Sequence, residues 1–153
     1  MASKTLVGVV VLVVAIQLVP VSRTNPPVVN ALAAPPDVMA ILKTSCYDCH
    51  SNETVWPWYA YVAPVSWLVA HDVDEGREHL NFSDITAYEG GDLAEISEEV
   101  VEEIAKGEMP LWFYVPLHEG ANVTRAELEI LAAWAESHVQ KLDEESEHED
   151  DAD

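Results

Sequence analysis

Cysteine is almost missing from this chain: Cys46 and Cys49 are the only two in 153 residues. No disulfide scaffold can be built from such a pair, so the fold must rest on an apolar core. Basic residues are nearly as scarce, 7 Lys and Arg against 28 Asp and Glu, for a formal charge of −21 and a pI near 4.3. A polyanion of this kind is repelled by phosphate backbones, which excludes nucleic acid as a partner. A protein that docks with it should present a basic face, and that association should weaken as salt rises. Internal repeats are lacking, as is any alternation of strand and helix patterns. The length leaves room for one small domain with extensions.

What is present is concentrated. Cys46-Tyr47-Asp48-Cys49-His50 spaces two thiols and an imidazole as a c-type haem attachment site requires. Each thiol can form a thioether with one vinyl group, and His50 falls under the iron as the proximal ligand. Three of the five tryptophans, Trp56, Trp58 and Trp67, follow closely, as suits the packing of something large and flat. The competing readings are a redox dithiol and a zinc site. The first needs a βαβ setting that the sequence lacks. The second needs four ligands, and Cys46, Cys49 and His50 are too close together to supply three of them comfortably.

Taken in order, the chain begins with an apolar run from Thr5 to Val21, near the length of a bilayer span. Residues 1–21 are therefore expected to form a transmembrane anchor, with a cleaved signal as the alternative. Residues 22–36 hold Pro26, Pro27, Pro35 and Pro36 and read as a semi-extended linker. Residues 37–142 are the expected haem-binding domain. There Asp37 can cap a short helix bearing Val38, Ile41 and Leu42 that runs directly into Cys46. An ordered aromatic loop with Pro57 and Pro64 follows, then a helix from Pro64 to Leu80 with Val65, Leu68, Val69 and Val73 as its apolar face. Asn81 to Gly91 breaks the pattern. A helix from Ser97, taken as its cap, to Lys106 carries Ile96, Val100, Val101 and Ile104. Thr124-Arg125-Ala126-Glu127 is a capping box opening a last helix with Leu128, Leu131, Trp134, Ala135 and Val139 along one side. Residues 143–153 are nearly all acidic and read as a disordered tail. The expected class is all-α: a small cytochrome c-like helical domain with long ordered loops.

His50 leaves the sixth iron position to be filled. Met109, in the turn Gly107-Glu108-Met109-Pro110, is the first candidate because a thioether is soft and favours Fe(II). His71 and His118 are the alternatives, and either would give a bis-His site of lower potential. His79 and His138 read as helix-surface histidines.

Cys46 to Thr54, then Trp56-Pro57-Trp58-Tyr59, Ala63 to Trp67, and His71-Asp72-Val73 through Asn81-Phe82-Ser83 together resemble the bacterial haem-binding domain family of membrane-anchored monohaem c-type proteins. Gly107-Glu108-Met109-Pro110 and Leu117-His118 match its second block. One departure is Ile85, where the family tends to carry Trp. The resemblance implies one covalently attached haem c, an N-terminal anchor and an extracytoplasmic domain, hence a single-pass protein of the bacterial cytoplasmic membrane. The expected function is one-electron transfer to a redox partner rather than enzymatic turnover. The alternative is a haem-based sensor or peroxidase-like protein whose sixth iron position is open or displaceable.

Overall fold

The computed structural model describes residues 2–86, 88 and 91–150. Among them are six α-helices and two short 3-10 turns, and no strand. The all-α expectation is met.

The first helix, α1, runs from Ala2 to Ile16. At 1.5 Å per residue it is about 22 Å long, short of the hydrocarbon thickness of about 30 Å. Among the described residues no helix is long and apolar enough to cross a membrane, so the expected transmembrane helix over residues 1–21 is not supported. The cause is local. The Gln17 amide donates to Val13 O at 3.1 Å and to Ala63 O at 3.1 Å, while Ala63 N–H donates back to Gln17 Oε1 at 2.9 Å. That exchange binds the chain to the domain at the point where the helix ends.

The proline-rich segment after α1 is extended, as its composition demands, but it does not stand free. Val29 N–H donates to Ser83 O at 3.0 Å, Leu32 N–H to Phe82 O at 2.8 Å, and Ile85 N–H to Asn30 O at 2.9 Å. Leu32 is buried in the main core. Residues 22–36 thus form part of the domain wall.

Helix α2, Pro36–Ser45, starts two residues earlier than an Asp37 cap implies, with Pro at its first position, where its missing N–H costs nothing. Asp37 sits in the first turn rather than at the cap. One residue separates α2 from α3, Tyr47–His50, so α2 delivers the Cys46–His50 turn as expected. A 3-10 turn over Trp58–Tyr61 precedes α4, Val65–His79.

Helix α4 corrects an expectation about which side is buried. Val73 is buried and Val69 half-buried as expected, but Ser66, Ala70 and Gly76 are the other covered residues, and Val65 and Leu68 are exposed. Small side chains face inward because α4 lies very close to α3. Helix α5, Gly91–Lys106, begins before Ser97, which is an interior residue: its buried hydroxyl donates to Ala94 O at 2.8 Å. Of the break expected over Asn81 to Gly91, residues 81–86 and 88 are non-helical while Gly91 already opens α5; residues 87, 89 and 90 lie outside the described residues.

A second 3-10 turn, Val115–Leu117, leads to α6, Arg125–Asp150. The capping box forms: Glu127 Oε2 accepts from Thr124 N–H and from its hydroxyl, each at 2.7 Å, and Glu127 N–H donates to Thr124 Oγ1 at 3.3 Å. The backbone stays helical to Asp150, where irregular chain was expected from Asp143. No Gly or Pro interrupts this stretch, and its many Glu residues have good helix propensity. Residues 151–153 of that acidic tail lie outside the described residues.

The core gathers Val38, Ile41 and Leu42 of α2, Tyr47, Leu80, Phe82, and Leu131 with Trp134 of α6. Leu42 and Leu131 are fully buried. Terminal helix thus packs on α2, and α5 lies along α6. Ile85 packs against this cluster.

Candidate functional site

A cavity of about 570 Å³ opens between α3, α4, α5 and the loop after α5. That volume is in the range of cofactor pockets. Cys46, Cys49 and His50 line one side; Ile96, Val100 and Ile104 of α5 line another; Met109, Leu111 and Phe113 complete it. Leu68 also borders it, which explains why that residue is outside the packed core.

His50 is held ready. Its Nδ1 lies 3.1 Å from Leu80 O, and a carbonyl can only accept, so Nδ1 carries the proton and Nε2 is left as a free donor pair. Burial pushes the imidazole below its usual range, which keeps it neutral. Phe82 meets the ring edge-on, with centroids 6.3 Å apart, and Tyr47 stacks on Phe82 at 5.4 Å. Burial, foremost, raises both thiols to about 12. A dithiol oxidoreductase needs the opposite, a thiolate near neutral pH.

The turn is fixed from two sides that sequence reasoning did not single out. Asp48 Oδ1 accepts from Val55 N–H at 2.9 Å and Oδ2 from the Tyr114 hydroxyl at 2.8 Å. Burial, and then the Asp48 charge, hold the Tyr114 hydroxyl well above its usual range, so it remains a donor. Below the turn, Asn52 N–H donates to Ser83 Oγ at 2.9 Å, and Asn81 Nδ2 donates to Asn52 Oδ1 at 3.0 Å. From α4, Arg77 reaches across to Ser51 O at 2.7 Å, Thr54 Oγ1 at 2.8 Å, Thr24 O at 2.9 Å and Asn25 Oδ1 at 3.0 Å. Gly76 permits this approach: a Cβ there would sit 2.8 Å from Cys49 O.

The candidates for the sixth position separate by place. Met109 borders the cavity and is 37% exposed. His71 points to solvent and pairs with Glu75 at 3.4 Å. His118 is engaged elsewhere: it stacks on Tyr114 with centroids 3.7 Å apart, and its Nε2 lies 3.1 Å from the Tyr59 hydroxyl. His79 sits at the cavity rim, while His138 packs against Trp134.

The Met109 turn owes its position to the end of α5. Gly107 has φ +77°, its N–H donates to Ile104 O at 3.0 Å, and Glu108 N–H donates to Glu103 O at 3.0 Å. That is a Schellman closure. Gly107→Ala is expected to cost about 1 kcal/mol, since a Cβ disfavours positive φ. Chemical denaturation checks the cost.

A planar, largely apolar macrocycle fits this donor set: one free imidazole nitrogen, two thiols on the same turn, aliphatic walls and a thioether. Comparison with curated proteins and with solved structures gives no match. The family model described as a haem-binding domain matches residues 11–137, which include α2 to the middle of α6 and every residue named above at the cavity. The chain belongs to the haem-binding domain family.

Proposed function

We propose that this chain carries one haem c, joined through Cys46 and Cys49, and passes single electrons to a partner protein outside the cytoplasm. The observation that carries the reading is the convergence of both thiols, the unprotonated His50 Nε2 and Met109 on one cavity. Haem bound there supplies the Fe(II)/Fe(III) couple. The chain's own residues do the rest. His50, neutral and oriented by Leu80 O, would hold the iron through Nε2. Met109, whose thioether borders the same cavity, would supply a second protein ligand to the iron. Ile96, Val100, Ile104 and Phe113 exclude water from the walls.

Asp72, Glu75, Glu99 and Glu103 border the same cavity. They suit a partner that presents Lys and Arg, and association should slow steeply as salt is raised. Covalent haem attachment belongs outside the bacterial cytoplasm, which supports an extracytoplasmic site of action, with the exposed apolar α1 associating with the membrane.

The test is spectroscopic. The oxidised protein should show the weak far-red band of methionine on Fe(III), and Met109→Ala should abolish it and lower the reduction potential. An unchanged spectrum in Met109→Ala would remove Met109 from the iron. Ready binding of CO by the unaltered reduced protein would favour the sensor or peroxidase-like reading instead.

A further inference from the structure

Acid is distributed very unevenly. All 28 Asp and Glu residues lie outside two stretches, 1–36 and 54–71, and the fold brings these two stretches together. Gln17 exchanges two hydrogen bonds with Ala63. Arg23 donates to Ala60 O at 3.2 Å and lies over the Tyr61 ring at 4.6 Å. Asn25 Nδ2 donates to Thr54 O at 2.9 Å. The result is a face whose own two stretches contribute no acid, on a chain of charge −21, bordered by the Asp48 carboxylate at Val55 N–H. Trp58 is 78% exposed on it and Tyr61 59%, with Val62 and Val65 beside them and Leu18 next to the Gln17 clamp.

We propose that this face is a bilayer-interface contact, in which the turn Trp58–Tyr61 sits at headgroup depth beside the point where α1 enters the lipid. The inference rests on the proposed membrane association of α1 and adds a second contact that fixes how the domain sits.

Three features choose lipid as the occupant. The α1 residues Leu6, Val7 and Val9 to Val14 are exposed at consecutive positions, hence on every side of the helix; a partner protein covers one stripe, whereas a bilayer covers the whole circumference. Trp, Tyr and Arg together are the side chains that favour the boundary between headgroups and acyl chains. A second copy of the chain would bring another charge of −21 to the same place, and zwitterionic lipid would not.

The experiment uses the full haem-loaded chain with phosphatidylcholine vesicles carrying a photoactivatable acyl chain, followed by peptide mapping of the adducts. Adducts are expected both in residues 5–19 and in residues 57–65. Val62→Asp, which places acid in the face at an exposed position, should cut the adducts in 57–65 several-fold and leave those in α1 and the haem spectrum unchanged. Gln17→Ala, which releases the clamp, should do the same. Adducts confined to α1 would overturn the proposal while leaving membrane association intact. No adducts at all would overturn both, and a doubled mass in solution would then assign the face to a second copy.

Discussion

Gly76→Val should lose most of its bound haem and about 3 kcal/mol of stability, the upper part of the usual range for forcing side-chain volume into a packed contact. The reason is a backbone-to-backbone approach. A Cβ at position 76 would meet Cys49 O at 2.8 Å, Cys49 C at 3.1 Å and Cys49 Cβ at 3.2 Å. The first two are main-chain atoms that cannot rotate away, so either α4 lifts or the Cys46–His50 turn shifts. Both move Cys49 relative to the cavity. Gly76→Ala should be milder, because an overpacking cost of about 1–3 kcal/mol is offset by about 1 kcal/mol of helix propensity. Urea denaturation and haem content per chain measure the two effects separately. A valine variant with full haem content would show that α4 does not set the turn.

Arg77→Met should cost about 2–3 kcal/mol, in line with loss of charge-assisted hydrogen bonds whose acceptors stay in place. Methionine keeps the aliphatic stem, so packing is preserved and the guanidinium alone is tested. Ser51, whose carbonyl accepts from Arg77 Nε, is fully buried. The other acceptors lie in the extended segment and the loop after the turn. Arg77 therefore ties three separate parts of the chain beneath the haem turn. The expected signature is a lowered urea midpoint together with faster proteolysis around Thr24 and Asn25. Arg77→Lys should recover only part of the loss, since an ammonium cannot reproduce a planar fork with several acceptors.

Neither residue stood out in the sequence, and the reason is physical. Local signals were legible: the Cys46–His50 pattern, the short helix that delivers it, and the Thr124–Glu127 capping box depend on neighbours within a few positions. The apolar face of α4 was misjudged because periodicity marks Val65 and Leu68 as core candidates without saying what covers them. Leu68 faces the cavity and Val65 the face around Trp58–Tyr61. Small residues on the covered side, Gly76 among them, carry no hydrophobic signal, yet they set the distance between α3 and α4. His118 looks like a ligand candidate by position in a matching block, but its contact with Tyr59, 59 residues away, is one that no local pattern reports. Met109 was legible because the Gly-Glu-Met-Pro turn is itself local. The docking of residues 22–36 onto Phe82 to Ile85 could not be read from proline content, which reports extension and not partners.

The proposed function rests on covalent haem at Cys46 and Cys49. The direct measurement is extraction of the denatured protein with acidified organic solvent, followed by a reduced-haem spectrum of the pellet and the supernatant. The prediction is that colour stays with the chain, at one haem per polypeptide, and that Cys46→Ala with Cys49→Ala releases it. Haem recovered entirely in the solvent from the unaltered protein would contradict the claim.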